Sequence, residues 1–310
     1  MQIRKASEED IPAIIQLLKE SLGESMIPKS ENLWRWKHIH NPFGKSPVLL
    51  AEEDDKLIGV RAFLRWDFIH SGKTYKACRA VDTATHPDYQ GKGIFKTLTT
   101  QLIQEILEQG IDFIYNTPNK QSTPGYLKMG WEKWGQLPLK LHFHLNSGKN
   151  AHQLDPPPWK DIEGLVSQIE EQLGDKDGTA LKKGYLKWRY LDCPLFPYYY
   201  LSDFESYLLF YRIKEGKLGR EFRICDFYKI RDLNPKEIES LKTQLSNAQN
   251  LSGARFTSFS GLSFAKQKEI NLGPIPILKA GPLVTLRQVN PDLNPLEISW
   301  NWSLGDLELF

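Results

Sequence analysis

The sequence predicts an α+β protein in two units, each a β-sheet flanked by helices. Three observations carry that expectation. In the first half, extended segments outnumber helical ones and come in the order strand, helix, three strands, loop, helix, strand, helix, two strands. The fourth of those strands runs into a loop with two glycines that opens a helix. Beyond a proline-rich stretch the chain repeats fragments of its first half in the same order.

Residues 2–6 read as a short strand. Ser7-Glu8-Glu9-Asp10 supplies helix-start chemistry, and Ile11, Ile14, Ile15, Leu17, Leu18 and Leu22 then recur at helical spacing. Residues 48–52 and 57–64 flank the acidic turn Glu53-Asp54-Asp55-Lys56, which predicts a hairpin. A strand at 77–85 enters the glycine loop. Leu98, Leu102, Ile103, Ile106 and Leu107 mark the helix after it, which ends near Gly110. Residues 111–116 have the pattern of a buried strand. Pro118, a short helical stretch near Tyr126 and strands within 131–145 follow.

Polar residues and the prolines at 156–158 interrupt all periodicity, which places a linker at 148–158 between domains at 1–147 and 159–310. Trp36-Lys37-His38 is echoed by Trp188-Arg189-Tyr190, and Arg79-Ala80-Val81-Asp82 by Arg223-Ile224-Cys225-Asp226. Asp112-Phe113-Ile114-Tyr115 has its counterpart in Ala254-Arg255-Phe256-Thr257. An internal duplication is therefore expected.

The bulk numbers exclude several classes. A chain of 310 residues suits two domains of about 150. Forty Lys plus Arg against 38 Asp plus Glu leave a net charge of +2, so neither a nucleic acid nor an anionic membrane is an expected partner. Cys78, Cys193 and Cys225 are too scattered for a disulfide framework or a zinc cluster and read as buried small hydrophobes. His142 and His144 alternate on a strand with nothing to complete a metal site, so no metal is expected. The N-terminal residues lack a signal-peptide core, and no run reaches the ~18 apolar residues of a membrane span. A cytoplasmic location is expected.

The loop Gln90-Gly91-Lys92-Gly93-Ile94-Phe95 is the first chemistry-bearing segment. A helix N-terminus offers unpaired N–H groups and a positive dipole end, and glycines let the backbone approach an anion closely. Two glycines alone also suit a plain turn; the strand before and the helix after them fit a pyrophosphate site. The stretch Thr85-His86-Pro87-Asp88-Tyr89-Gln90-Gly91-Lys92-Gly93-Ile94 resembles motif A of the GNAT N-acetyltransferase superfamily, Gln/Arg-x-x-Gly-x-Gly/Ala. Gln90 and Gly93 match it, whereas Phe95 stands where Gly or Ala is usual.

Residues 116–131 resemble GNAT motif B, an Asn at a strand end followed by a helix bearing Tyr, then Gly and an aromatic. The resemblance covers roughly residues 1–145. It implies the GNAT fold, a mixed and mostly antiparallel central sheet flanked by helices, in tandem with a degenerate second copy. It also implies that acetyl-coenzyme A contacts Gln90, Gly91, Lys92, Gly93, Ile94, Phe95 and Asn119, with Tyr126 protonating the leaving thiolate. A phenol with a reference pKa of ~10 holds that proton at neutral pH. Packing of an amphipathic helix is the other reading of Tyr126, and Ser122 either touches the cofactor or caps that helix. The backbone at Thr83, Ala84 and Thr85 is implied to polarise the thioester carbonyl, as an oxyanion hole on a splayed strand.

An amine with a pKa near ~10 must also lose a proton. Asp82 is the leading candidate base, with a structural role the alternative because Asp226 occupies the matching point where no glycine loop follows. Glu24 is a weaker candidate. His38, His40 and His86 stand isolated in the sequence. The second half lacks the glycine pair after Asp226 and lacks a counterpart of Tyr126. Trp188, Tyr190, Phe196 and the run Tyr198-Tyr199-Tyr200 read as core packing ahead of a ligand cleft. The expected activity is transfer of acetyl from acetyl-coenzyme A to a small-molecule, sugar or peptide amine. A non-catalytic acyl-coenzyme A sensor and an aminoacyl-transferase of the cell-wall peptide-bridge type are the alternatives.

Overall fold

The computed structural model describes residues 1–23, 27–144, 154–262, 267, 269–270, 273 and 275–307. Glu24, most of the expected linker and Ser263 to Ala265 of the second-half segment lie outside the described residues.

The first half places β1 (Gln2–Lys5), α1 (Ile11–Leu22), α2 (Glu31–His38), β2 (Val48–Glu53), β3 (Lys56–His70) and β4 (Lys73–Thr85) in order. Then come α3 (Ile94–Glu108), β5 (Phe113–Asn116), α4 (Thr123–Lys128), β6 (Glu132–Gln136) and β7 (Leu139–Phe143). The second half contains α5 (Glu163–Leu173), β8 (Gly178–Thr179), β9 (Tyr199–Ser202), β10 (Tyr207–Gly216) and β11 (Gly219–Lys229). It continues with α6 (Pro235–Ser252), β12 (Phe256–Ser260), β13 (Leu283–Gln288) and a last turn of helix, α7 (Leu304–Leu307).

Three of these elements, α2, β3 and β4, differ from the sequence expectation. Helix α2 is short, and the side it buries carries Lys37 and His38 beside Leu33, Trp34 and Trp36, so its apolar stripe is interrupted by polar residues. Its signal is the cap: the Ser30 side chain accepts from the Leu33 N–H. Strands β3 and β4 also run well beyond residues 57–64 and 77–85. β3 is buried along most of its length, so its polar Arg61, Arg65 and Asp67 sit inside a strand and blur the alternation.

One sheet has the order β1-β2-β3-β4-β5-β13-β6, with β8 added along β3. The other has the order β7-β12-β11-β10-β9. The halves exchange strands. β13, from the end of the chain, lies antiparallel between β5 and β6, and β7 leaves the first half to pair antiparallel with β12. The pairings run in parallel series: β3–β4 and β10–β11 are long antiparallel hairpins, and β4–β5 and β11–β12 are parallel pairs bridged by α3 and α6.

The echoed tryptophans meet. Trp36 and Trp188 stack with centroids 4.8 Å apart, and each indole N–H donates to the other's backbone carbonyl at 2.8 Å. They sit in a core that joins Trp66 and Phe68 of β3 to Ile169 of α5, Phe210 of β10 and Trp302. Trp188, Tyr190 and Tyr198 to Tyr200 are buried, so these aromatics are packing side chains. The three cysteines are buried and unbridged.

Candidate active site

The glycine loop has the conformation its sequence demands. Gly91 and Gly93 lie at φ +78° and +81°, and a Cβ on either would meet nothing within 4 Å. Glycine is there for the backbone angle, and the space beside the loop is open. The helix ladder begins with the Thr97 N–H donating to the Gly93 carbonyl, so the N–H groups of Ile94, Phe95 and Lys96 have no partner within the helix. Lys92 Nζ sits 4.4 Å from the centre of the Tyr89 ring, with Lys56 on the same ring at 6.0 Å, which adds positive charge near those N–H groups. This is a cradle suited to a pyrophosphate. Gln90 closes it from behind, donating to the Thr85 carbonyl at 3.4 Å.

From the loop, β4 leads back into the sheet. Its parallel pairing with β5 covers only Ala77 to Arg79 opposite Phe113 to Tyr115, while β4 itself continues to Thr85. The two strands therefore splay, and Thr83, Ala84 and Thr85 keep β3 on one edge only. Within this stretch β4 bulges: Arg61 pairs with Thr83 and Ala62 with Val81, leaving Asp82 unpaired at φ +40°.

Asp82 is held by two consecutive residues at the end of α2. Lys37 Nζ and His38 Nε2 both reach Oδ2, the latter at 2.9 Å. Burial alone would raise the Asp82 carboxyl, but the Lys37 ammonium and the His38 hydrogen bond hold it well below the usual carboxylate range. Burial lowers His38. A neutral His38 that donates from Nε2 to Asp82 and accepts the Ser46 hydroxyl at Nδ1, 2.9 Å away, satisfies the whole group. His38 is thus not isolated, which corrects the sequence reading. The echo held the signal: in the second half Tyr190, the counterpart of His38, hydrogen-bonds Asp226, the counterpart of Asp82.

On the other face of the sheet, Tyr126 is buried among Phe95, Trp131 and Arg61. Its ring meets Phe95 edge-on at 5.9 Å and Trp131 at 5.1 Å. Arg61 is fully buried, with its guanidinium over the Phe63, Phe95 and Tyr126 rings at 4.7, 5.3 and 5.5 Å. Its Nη1 donates to the Tyr126 oxygen at 3.2 Å, while Nε and Nη2 find no hydrogen-bond partner among the described residues. The Tyr126 oxygen thus serves as acceptor to Arg61, which leaves its own O–H directed elsewhere. Arg61 escaped the sequence reading because an arginine inside a strand looks like a solvent-facing residue. Phe95, the loop residue that departs from motif A, is one wall of this box.

Asn119 and Ser122 act together. The Asn119 side-chain oxygen accepts from the N–H groups of Gln121 and Ser122 at 3.0 and 2.8 Å and from the Ser122 hydroxyl at 3.1 Å, organising the start of α4. His86 is a loop hydrogen-bonder, its N–H donating to Ile58 and its Nδ1 accepting from Asp88. Among the described residues no group of three or more His, Cys, Asp or Glu could hold a metal ion. No described helix is long and apolar enough to cross a membrane.

Residues 2–134 match the family model described as "Acetyltransferase (GNAT) domain", so this stretch is a GNAT acetyltransferase domain. The solved structures similar in fold extend the likeness over nearly the whole chain. A GCN5-related N-acetyltransferase from Anabaena variabilis aligns over 93% of this chain and 73% of its own, at a TM-score of 0.65 and 19% identity. One from Kribbella flavida gives 93% and 71%, at 0.61 and 13%. The N-myristoyltransferase of Saccharomyces cerevisiae, solved with bound myristoyl-CoA, gives 94% and 86%, at 0.56 and 10%. No curated protein matches the chain in sequence.

Proposed function

We propose that this protein binds an acyl-coenzyme A, acetyl-coenzyme A in the simplest case, and transfers the acyl group to a primary amine by direct attack on the thioester. The coenzyme supplies the activated carbonyl. The N–H groups at the start of α3 take the pyrophosphate, with Gly91 and Gly93 allowing close approach and Lys92 adding charge. The free edge of β4 at Thr83 to Thr85 takes the pantetheine arm, and backbone N–H groups there polarise the carbonyl.

Tyr126 is the proton donor. As the amine nitrogen bonds to the carbonyl carbon and the carbon–sulfur bond breaks, the phenol passes its proton to the departing thiolate, and the amine's proton leaves to water. Arg61 fixes the phenol so that its O–H points away from Arg61, and it stabilises the phenolate as that forms. Asp82 is read here as the lock of the β4 bulge. Its Oδ2 is engaged by both Lys37 and His38, and a carboxylate held so low is a weak proton acceptor. The second sheet is read as a degenerate copy of the first, keeping the series of pairings and the Asp226 contact without the glycine loop or the tyrosine.

The observation that carries this reading is the Tyr126 hydroxyl, which accepts from a buried arginine and sits beside Phe95 of the glycine loop. Thiol release from acetyl-coenzyme A, measured across a panel of amines, tests it. Tyr126→Phe should lower kcat about 10²–10⁴-fold while leaving coenzyme binding intact. Silence of the wild type across the whole panel would remove the proposal.

A further inference from the structure

The structure contains a cavity of about 590 Å³ between the two sheets. It is placed where an acceptor would have to lie. Arg79 and Thr117, two of its lining residues, flank the point at which β4 and β5 part, joined across the gap by a 3.1 Å hydrogen bond from Nη2 to the threonine hydroxyl. Cys78 and Ala80 pack with α3 and Tyr126, whereas Ala77 and Val81 pack toward the second half. Strand alternation therefore turns Arg79, and the cavity with it, to the face opposite the glycine loop and Tyr126.

The walls are apolar. Leu139, Leu141 and Phe143 of the exchanged strand β7 line the cavity beside Phe256 of the neighbouring β12, with Leu218 of the β10–β11 turn. The apolar surface continues outward: Phe143 is 56% and Leu218 74% exposed at the rim, where water would favour polar side chains. Among the described residues, three charged side chains line the cavity: Arg79, Glu221 and Arg223. Glu221 is engaged by Arg223 through two hydrogen bonds of 2.9 and 3.0 Å and by the Ser258 hydroxyl. Burial would raise its carboxyl, but Arg223 holds it below its ordinary value. Such walls desolvate an apolar body, whereas a body rich in polar or charged groups would be buried there at a cost.

We infer that this cavity is the acceptor site, resting on the acyl-transfer reading above, and that it takes monoamines with an extended apolar body. Polyamines and aminosugars are disfavoured. The exchanged strand β7 explains why the second half persists without cofactor machinery: it supplies the acceptor's binding surface.

The test is a series of linear monoamines from butylamine to octylamine, with spermidine and glucosamine as polar comparators, read as thiol release from acetyl-coenzyme A. kcat/KM should rise about fourfold per added methylene, with octylamine well above both comparators. Leu218→Glu, at an exposed position that cannot disturb the core, should lower kcat/KM for octylamine about fivefold or more and change butylamine far less. A flat series, or a preference for spermidine, overturns the inference and leaves acyl transfer standing. If no amine releases thiol, direct titration of octylamine decides. Saturable binding weakened by Leu218→Glu upholds the cavity while the transfer reading falls, and absence of binding overturns the cavity as well.

Discussion

Asp82→Asn separates a catalytic base from a structural lock. The change removes the carboxylate that faces Lys37, whose side chain is 1% exposed, while Asn can still accept the His38 N–H through its amide oxygen. Breaking a buried pair from one side costs about 3–5 kcal/mol. The Asp82 side chain is itself 17% exposed, which favours the lower end. A loss of about 3 kcal/mol corresponds to a fall in Tm of about 4–5 °C for a chain of this size.

The pH dependence follows from the directions of the shifts. The folded Asp82 carboxyl is depressed, so its contribution is present above the unfolded pKa of ~3.9 and fades as pH falls below it. His38 is also lowered, so the unfolded chain takes up a proton first and stability declines below about pH 6.5. Thermal unfolding followed by circular dichroism should show the wild type and Asp82→Asn far apart at pH 7, with the gap starting to narrow only as pH falls below ~3.9. Thiol release should fall less than about tenfold, in contrast to the 10²–10⁴-fold expected on loss of a base. An unchanged Tm with a thousandfold loss of kcat and a vanished acid limb in the rate profile would refute the lock and restore Asp82 as the base.

Arg61→Met should leave coenzyme binding within a few-fold and lower kcat, whereas Arg61→Lys recovers part of it; comparing kcat with KM in the thiol-release assay checks this. Gly93→Ala forces a side chain to φ +81° at a cost of about 1–2 kcal/mol, and it should weaken acetyl-coenzyme A in a calorimetric titration. Trp188→Ala removes a buried indole, its stacking on Trp36 and its hydrogen bond to the Trp36 carbonyl, and should cost about 3–5 kcal/mol in urea unfolding. A fragment of residues 1–147 should fail to fold, since β13 is missing between β5 and β6; a dispersed amide NMR spectrum from it would contradict the strand exchange.

Much of the first half was legible because local rules and tertiary structure agree there. The hairpin turn at 53–56, the periodic α3 and the two positive-φ glycines each carry their own signal. α2 was not legible, since it is short and buries the polar Lys37 and His38 with its apolar side chains, which breaks the stripe that marks a helix. Strand exchange was not legible either. Strands were expected within 131–145, but which sheet each joins is decided by the packing of whole halves, and residues 283–288 were not singled out as a strand at all. At the site, Tyr126 and the loop stood out by pattern, whereas Arg61 and His38 required coordinates. Their roles come from partners 65 and 44 residues away. The echoes were informative beyond their length: the tryptophans touch one another, and His38 and Tyr190 each bond the aspartate of their own half.

The central claim is that the cradle at Gln90 to Phe95 binds an acyl-coenzyme A. Calorimetric titration of acetyl-coenzyme A into the full chain, beside Gly91→Asp and Gly93→Asp, tests it most directly. The account predicts one saturable site in the wild type and at least a hundredfold loss in either variant, because each brings a carboxylate and a Cβ into the pyrophosphate's place. No binding by the wild type, or equal binding by all three proteins, would contradict it.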